Sequence, residues 1–509
     1  MRGYDESVAF LGQWGPFQQA VFFLLCATIV PNGFGAFTLV FLTDLPSHHC
    51  AVPDVNLTED WLTAVIPRQV RGRLSPCSRF RLDVVRNLSA RGLVPGRDVN
   101  LSDLQQETCV DGWSYSRDVY DATVVSEFDL VCSDQWKLTF ISTVFFVGVF
   151  LGSFVSGQLS DRFGRKPVLF ATMAVQIILG TYEHCAEILT GNVRVLYSSM
   201  GTCLSFAFGY MLLPLCAYFL RDWKSLLLAL SLPGLYFYFL WFGGRLIPES
   251  PRWLLSRGRV EEAESIVRKA AKWNKVQPPA VIFPDYADPK DRHSALDLLR
   301  TSSIRVTTLV LCLVSFAACT GYYGLSLNTS RLHADPYVSC FISAAVEVPA
   351  YVSGWLALRF LRRRRSICFT LLLEASALFL IQLVPQSEQE GKLCCVRMLA
   401  KYAVTVTFSM MFAYMAELYP TLLRNTAVGI CSTVGRLGNC IAPFLVTLSE
   451  SIWVQTTIRT VLNGGVRPVS SHLTPPPSLS FRHLPETSPL HCNGDSEARV
   501  PVELQDGPL

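Results

Sequence analysis

Charged side chains are scarce in this chain of 509 residues, because Asp, Glu, Lys and Arg together make up 17% and hydrophobic residues 50%. A soluble protein of this size carries about a quarter charged residues, so an ordinary soluble domain is excluded. The formal net charge is only +4, which gives no indication of a nucleic-acid partner. Repeated long apolar runs instead predict an all-α polytopic protein in a lipid bilayer.

Catalytic signatures are also missing from the sequence. It contains no metal-ligand spacing, nucleophile elbow or glycine-rich phosphate loop, so we expect no enzyme activity, no metal and no cofactor. Cys394 and Cys395 are interpreted as packing or extracellular pairing. No short apolar segment with a small-residue cleavage site precedes the first span, so we expect no removable signal peptide.

A basic turn at Gly157–Lys166 interrupts the apolar sequence. It follows Leu138–Ser156, which is nearly free of charge and long enough to cross a bilayer. Lys and Arg in short loops mark the cytoplasmic side, and Gly157 and Gly164 allow a tight turn between two helices. Composition alone supports no more than a cytoplasmic flank of a membrane span.

The longest polar segment of the first half, residues 43–137, follows a polar N-terminus (1–19) and a first predicted span (20–42). Three glycosylation patterns and four cysteines in one loop indicate the oxidising, extracellular side. Four cysteines allow three pairings, and the sequence does not choose among them. These residues are Asn56, Asn87, Asn100, Cys50, Cys77, Cys109 and Cys132.

Apolar runs in the rest of the chain predict eight further spans. Residues 138–247 complete the first helical half, 248–304 form a basic cytoplasmic loop, and 305–448 form the second half. Within the loop, Val260–Lys272 predicts a charged amphipathic helix with a solvated face. The spans are predicted at 138–156, 193–220, 226–243, 306–327, 337–358, 367–384, 396–419 and 427–448.

The run Val168–Gly180 is short for a span that needs about 20 residues. If it crossed the membrane, parity would place the basic loop 248–304 outside, against the positive-inside rule. We therefore predict nine full spans, with 168–189 a truncated or re-entrant element. The tail 449–509 is predicted to be disordered and extracellular, because 468–508 is rich in Pro and Ser.

Several stretches together resemble the organic cation/carnitine transporters of the novel type, in solute carrier family 22 of the major facilitator superfamily. The resemblance covers residues 1–176 and 187–448. It implies alternating-access transport of carnitine, other zwitterions and organic cations at the plasma membrane, coupled to sodium for carnitine. The matching stretches are Tyr4–Glu6, Phe10–Gln18, Pro95–Val99, Cys109–Trp113, Phe145–Val149, Gly157–Lys166, Pro248–Trp253, Val346–Tyr351 and Ala416–Thr421.

The resemblance also implies a cytoplasmic latch that holds one conformation. Its charged members would be Asp161, Arg162 and Arg165, supported by Gly157 and Gly164.

Two departures from the family pattern bear on function. Only 168–189 stands where the family has helix 3, an outer turn and helix 4, and Leu484–Thr487 has no twelfth helix before it. The chain is therefore predicted to have an incomplete fold that lacks helices 4 and 12. The alternative function is a transport-incompetent isoform, retained inside the cell or acting only as a membrane interaction partner.

Arg436 is the first candidate for binding substrate, since it lies midway along the span 427–448. An Arg at mid-helix costs about 2.5–3.5 kcal/mol on insertion scales. Its fork matches a carboxylate, and in the family an Arg at this position faces the cavity, which favours a zwitterion. The alternative is a structural pair with Glu347.

Aromatic and polar residues in the second half are further candidates. Tyr322, Tyr323 and Tyr414 could present faces to a quaternary ammonium, although packing is the commoner role of such rings. Lys401 either snorkels outward or faces the cavity, and Ser432 shares a helix face with Arg436 and could bind substrate or sodium. A backbone hydrogen bond is the commoner role of such a serine. Glu374 lies mid-span without an assigned role.

Overall fold

A computed structural model shows a chain that is mainly helical. Its two compact units are Met1–Trp453 and Val454–Leu509, and the contacts below lie within the first. The structure describes residues 4–12, 14–53, 57–68, 74–163, 168, 201–242, 248–283, 302–328, 335–383, 390–419 and 421–462.

The described residues form long helices and, in the loops, several short ones. In chain order they are α1 (Tyr4–Ser7), α2 (Pro16–Phe37), α3 (Leu39–Leu42), α4 (Glu59–Ala64), α5 (Leu82–Ala90), α6 (Val124–Glu127), α7 (Trp136–Phe163), α8 (Thr202–Phe219), α9 (Trp223–Phe242), α10 (Pro251–Ser256), α11 (Val260–Trp273), α12 (Ser302–Leu327), α13 (Pro336–Phe360), α14 (Arg363–Leu383), α15 (Glu390–Leu418) and α16 (Thr421–Leu462).

Seven stretches of the described residues are long and apolar enough to cross a membrane. They coincide with seven of the nine predicted spans, and the other two predicted spans are the helices α9 and α14. Except for Val168, the predicted truncated element 168–189 lies outside the described residues. The seven stretches are Pro16–Leu42, Cys132–Ser153, Thr202–Phe219, Ile304–Leu327, Pro336–Phe360, Cys394–Met415 and Thr426–Leu445.

The last helix differs from its prediction. A disordered tail was expected from residue 449, whereas α16 continues to Leu462. The apolar run ends near residue 448, but Gln455 and Arg459 do not interrupt a helix, because long unbranched polar side chains have adequate helix propensity. Hydropathy therefore located the membrane-spanning part and not the end of the helix. The rest of the predicted tail, 463–509, lies outside the described residues.

The loop 43–137 folds into a small domain of its own. Strand β1 (His48–Cys50) pairs antiparallel with β4 (Trp113–Tyr115), and β2 (Ser78–Phe80) pairs with β3 (Gln106–Thr108). Trp61 is fully buried at its centre and donates its indole N–H to the Leu93 carbonyl at 2.7 Å. Two disulfides cross-link the domain, Cys50–Cys109 and Cys77–Cys132, which selects one of the three open pairings.

A buried arginine joins the parts of this domain. Arg79 Nε donates to Glu107 Oε1 at 2.9 Å, and its Nη1 donates to the Ala51 carbonyl at 2.7 Å. The same guanidinium also pairs with Asp111. A guanidinium with this many acceptors can stay buried without leaving its charge uncompensated.

The basic loop forms a second small core against the N-terminus. Helix α11 buries Ala263 and Val267 against α10 and Val8, so the predicted amphipathic helix is present. Asn274 accepts a hydrogen bond from the Phe17 backbone N–H at 2.9 Å, which satisfies one of the unpaired donors at the start of α2.

Helices α2 and α8 cross with their backbones in contact. A Cβ on Gly33 would stand 2.2 Å from the Phe206 carbonyl oxygen, and one on Gly209 would stand 2.1 Å from the Val30 carbonyl oxygen. Glycine is therefore required on both sides of this crossing. The crossing positions Phe37 and Tyr210, which stack at 4.1 Å between ring centroids.

The two helical halves meet on the side of the membrane that carries the loop 43–137, here called the outer side. The outer seal is defined as Phe41, Tyr120, Tyr218 and Tyr337. The Tyr337 ring, on α13, lies 5.6 to 5.8 Å from the other three rings, which belong to the first half. Phe41, Tyr120 and Tyr337 belong to one buried cluster, whereas Tyr218 is 50% exposed. Among the described residues, aromatic rings of the two halves therefore meet on the outer side.

Candidate functional site

An ion pair lies at the centre of the second half. Lys401 Nζ on α15 is 2.8 Å from Glu347 Oε1 on α13, and the side chains are 3% and 0% exposed. Lys401 therefore does not snorkel, which was one of the two readings left open by the sequence. Two buried ions lose most of their hydration, so each depends on the other and on nearby hydrogen bonds.

Hydroxyl groups complete the polar contacts of this pair. Tyr322 donates to Glu347 Oε1 at 2.7 Å, and Tyr351 donates to Glu347 Oε2 at 3.2 Å. Lys401 also donates to Ser326 Oγ, whose own hydroxyl donates to the Tyr322 carbonyl at 2.6 Å. Both carboxylate oxygens thus have donors, as a buried carboxylate requires.

Three aromatic rings surround the Lys401 ammonium. Its Nζ lies 3.8 Å from the centroid of Tyr322, 5.5 Å from that of Phe37 and 5.7 Å from that of Tyr210. Phe37 and Tyr210 come from α2 and α8 of the first half, whereas Tyr322 comes from α12 of the second. These three rings, called the aromatic cage below, form a site at the boundary between the halves that attracts a cation by ring electrostatics.

Arg436 lies on α16 and is half-buried. Its Nη1 donates to Ser432 Oγ at 2.9 Å, so the structure brings these two predicted site residues together. Glu347, the alternative partner considered for Arg436, is bonded to Lys401. Next to Arg436, Gly435 packs against Ser315 and Cys319 of α12, the helix that also carries Tyr322.

The remaining predicted aromatic residues lie in different places. Tyr323 packs edge-to-face on Phe146 of α7 at 5.0 Å between centroids, so it too is a contact between the halves. Tyr414 is half-buried in a separate cluster around Met411 and Met415, apart from the cluster that contains Tyr322.

The predicted latch is described only in part. Gly157 and Asp161 lie in α7, but the side chain of Asp161 lies outside the described residues, as do Gly164 and Arg165. The Arg162 carbonyl accepts a hydrogen bond from Arg257 Nη2 at 3.2 Å. This contact joins the inner end of α7 to the segment after α10.

Two of the three predicted glycosylation positions lie within the described residues. Asn87 is exposed on α5, and Asn100 is exposed at the start of a 3-10 turn, where its side chain accepts from the Ser102 N–H at 3.4 Å. Asn56 lies outside the described residues. Both described asparagines are on the surface of the outer domain, where a glycan can be accommodated.

Phe37, Tyr210, Ser326 and Tyr351 were missed by sequence reasoning. Aromatic and hydroxyl residues are common in membrane spans as packing and backbone-bonding groups, so none of the four stands out. The only sequence signal was the presence of Lys401 and Glu347, opposite charges within predicted spans. That signal indicates an ion pair, but it does not identify the rings around it.

Comparisons with known proteins define the class. Residues 106–198 and 183–457 match the family described as Sugar (and other) transporter. The chain is 48% identical over 492 residues to Organic cation/carnitine transporter 2 of Homo sapiens, covering 88% of this chain and 87% of that protein. It is also 48% identical over 493 residues to Solute carrier family 22 member 4 of Mus musculus, with the same coverage.

One solved structure, that of a D-xylose-proton symporter, is 14% identical and covers 84% of this chain and 89% of that one at a TM-score of 0.46. The sequence matches make this chain a multi-pass membrane transporter of the major facilitator superfamily and not an enzyme. Within that superfamily it belongs to the organic cation/carnitine transporters of solute carrier family 22, which confirms the predicted family.

Proposed function

We propose that this chain is a plasma-membrane secondary transporter of carnitine-like zwitterions and of organic cations, working by alternating access. We further propose that sodium accompanies carnitine. The observation that carries the proposal is the aromatic cage of Phe37, Tyr210 and Tyr322, which already surrounds one ammonium group, that of Lys401.

The cage suits a quaternary ammonium for a chemical reason. Such a group has no N–H to donate, so ring faces recognise it better than hydrogen-bond acceptors do. Two of the rings belong to the first half and one to the second, which supports a substrate site between halves that move against each other. A bound substrate ammonium would compete with Lys401 for the same rings.

Arg436 supports the zwitterion over a plain cation. A guanidinium can bind both oxygens of a carboxylate, and Ser432 holds Arg436 Nη1 at 2.9 Å. In this proposal Arg436 binds the acid end of the substrate, and Ser432 positions the guanidinium or contacts sodium. Arg436 is half-buried.

The experiment compares two substrates on variants of the full chain. Uptake of radiolabelled carnitine and of tetraethylammonium is measured, with and without sodium, for the wild type, Arg436→Ala and Arg436→Lys. We expect Arg436→Ala to raise the carnitine KM at least about tenfold, the loss of one strong charge-assisted contact. Tetraethylammonium uptake should change much less, and Arg436→Lys should recover only part of the carnitine affinity.

Leu437→Ala serves as the matched control, since Leu437 is the next residue and is 42% exposed. It should leave both substrates unaffected. Equal losses of carnitine and tetraethylammonium uptake in Arg436→Ala would mean that Arg436 stabilises the fold and does not bind the carboxylate. Carnitine uptake that does not depend on sodium would contradict the sodium-coupling part of the proposal.

A second candidate is a transport-incompetent chain. The family match falls into two stretches, 106–198 and 183–457, which overlap at 183–198, next to the place where the sequence predicts the missing helix 4. A broken match at that point is expected of a chain in which one family helix is absent. Saturable carnitine uptake above control, with surface expression confirmed, would rule this candidate out, whereas surface-expressed protein without any uptake would favour it.

A further inference from the structure

Glu374 is a buried carboxylic acid that the site described above does not use. It lies in the middle of α14 and is 6% exposed. Among the described residues, its Oε2 has no hydrogen-bond partner, and no described cation lies within ion-pair distance of it. A bare carboxylate in this position would be strongly disfavoured, because nothing there replaces its lost hydration.

The surroundings of Glu374 are mostly apolar. Its Oε1 lies 3.5 Å from the position that a Cβ on Gly321 of α12 would occupy, and the two Val404 methyls of α15 are 3.7 Å from the same point. The polar group facing the carboxyl is the Thr407 hydroxyl, one turn along α15. Hard cations gather several oxygen ligands, so this site is too poor in oxygen for sodium.

The Thr407 hydroxyl already donates its hydrogen to another group. Thr407 Oγ1 donates to the Ala403 carbonyl at 3.0 Å, so its hydrogen is not directed at Glu374. A carboxylate has no hydrogen to donate, whereas a carboxylic acid does. Among the described residues no donor is directed at the Glu374 carboxyl, so burial favours its protonated form, which can donate to the Thr407 hydroxyl.

Other titratable groups on the helices around α14 do not change this conclusion. Lys401 on α15 is bonded to Glu347 on α13, and Tyr322 on α12 and Tyr351 on α13 donate to the same carboxylate. The charge of Lys401 is thus neutralised by Glu347, and no other described cation lies within ion-pair distance of Glu374.

We propose that Glu374 is a proton-binding site inside the second helical half, whose carboxyl holds a proton in the described arrangement and donates a hydrogen bond to the Thr407 hydroxyl. The proton is taken from water as the carboxylate becomes a carboxylic acid, and it returns to water when the site opens. The ligand is a proton and not a metal cation.

Infrared spectroscopy of the full chain in lipid nanodiscs tests this proposal without relying on transport. At neutral pH the wild type should show the C=O stretching absorption of a buried carboxylic acid, and Glu374→Gln should lack it. Thr407→Val should shift the absorption to higher frequency, because the carboxylic acid loses its acceptor. Glu262→Gln, an exposed carboxylate on α11, is the matched control and should leave the absorption unchanged.

Two results would overturn the proton site. One is an identical carboxylic-acid absorption in the wild type and Glu374→Gln. The other is an absorption that disappears when sodium is added at constant pH, since that result would make Glu374 a sodium ligand. If Glu374→Gln does not fold, Thr407→Val alone decides, because an unshifted absorption in that variant contradicts the predicted hydrogen bond.

A consequence for transport rests on the function proposed above. If the proton is exchanged during each cycle, carnitine uptake by the wild type should vary with pH, and Glu374→Gln should flatten that variation at least threefold. A carboxylic-acid absorption combined with pH-independent wild-type uptake would refute the exchange and leave the proton site intact. Absence of all uptake would count against the transport function instead.

Discussion

At the scale of single residues, Lys401 and Glu347 are the critical pair of the second half, because each neutralises the buried charge of the other. Their contact at 2.8 Å involves side chains that are almost fully buried. Forming such a pair yields little net stability, since desolvation offsets much of the attraction, but removing one member leaves an uncompensated charge. The pair is therefore more sensitive to single substitutions than to double ones.

We expect Lys401→Met to lower the free energy of unfolding by about 3–5 kcal/mol, the typical cost of breaking a buried ion pair. Lys401→Met combined with Glu347→Gln should recover most of that loss, because no charge is then left unpaired. Chemical denaturation of purified protein in detergent gives both values.

Lys137→Met is the control for this prediction, since Lys137 pairs with Asp134 at 2.8 Å while 42% exposed. Exposed pairs contribute about 0–1 kcal/mol, so this variant should stay near the wild type. Equal losses in Lys401→Met and Lys137→Met would refute the view that burial determines the cost.

The sequence identified the charges of the site but not their arrangement. Arg436 and Lys401 stand out because ionisable residues are rare inside apolar runs. Which carboxylate each one meets depends on how α13, α15 and α16 pack. From the sequence alone we considered Arg436 as the partner of Glu347, whereas in the structure that partner is Lys401. The cage residues Phe37 and Tyr210 could not be found, since they reach the site only through the crossing of α2 with α8.

At the scale of elements, this crossing depends on two glycines, and it yields a second prediction. Gly33→Ala should destabilise the protein by about 1–3 kcal/mol or more, the usual cost of overpacking, because the new methyl would meet a backbone carbonyl at 2.2 Å. Gly209→Ala should behave alike. Thermal unfolding of the purified variants measures the effect.

Gly35→Ala is the matched control, two residues along the same helix, where a Cβ would have nothing within 4 Å. Alanine is the better helix former, so this variant should be neutral or stabilising. A Gly35→Ala loss as large as that of Gly33→Ala would show that helix flexibility, and not the close crossing, is the reason for glycine.

The positions of the long helices followed from the sequence, whereas their ends and the outer domain did not. Helix α2 begins at Pro16, four residues before the predicted span, because proline suits the first helical position. Hydropathy detects the residues that fit the hydrocarbon, and helices continue past them into polar surroundings. The strands of the outer domain have three residues each, too few for an alternating pattern to be recognised.

At the scale of the whole molecule, several contacts between the described parts of the two halves lie on the outer side. Thr139 Oγ1 of α7 lies 2.9 Å from Thr447 Oγ1 of α16, and Tyr337 donates to the Val119 carbonyl at 2.8 Å. The Tyr120 hydroxyl donates to Asp44 at 2.7 Å, and burial together with the Asp44 charge raises the pKa of Tyr120. That phenol therefore stays neutral and bonded throughout the physiological pH range.

The Thr139–Thr447 contact allows the described arrangement of the two halves to be trapped. Thr139→Cys with Thr447→Cys should form a disulfide under mild oxidant, since their side chains already touch, and uptake should fall to background and return with reductant. Mass spectrometry of the linked peptide identifies the bond among the other cysteines.

Phe140→Cys with Thr447→Cys is the control, because Phe140 is 53% exposed on α7. It should not cross-link efficiently. Unchanged uptake in a fully cross-linked Thr139–Thr447 pair would show that the two halves do not separate at this point during transport.

Membrane topology gives a further prediction. Parity of nine spans places residues 50–132 and the chain after Ser449 on the same, extracellular side. An epitope tag added at the C-terminus should be stained on cells that have not been permeabilised, with an N-terminal tag as the internal control. A C-terminal tag visible only after permeabilisation would contradict the nine-span interpretation.

The Lys401–Glu347 pair also has an electrical consequence. Each elementary charge moved across a membrane potential of 100 mV changes the free energy by about 2.3 kcal/mol, but a neutral pair that moves as a unit adds nothing to that work. The membrane voltage then acts mainly on the charges that arrive with the substrate. Substrate-induced currents should accordingly be larger for a cation than for a zwitterion carried alone, and a coupling ion would appear as one added charge per cycle.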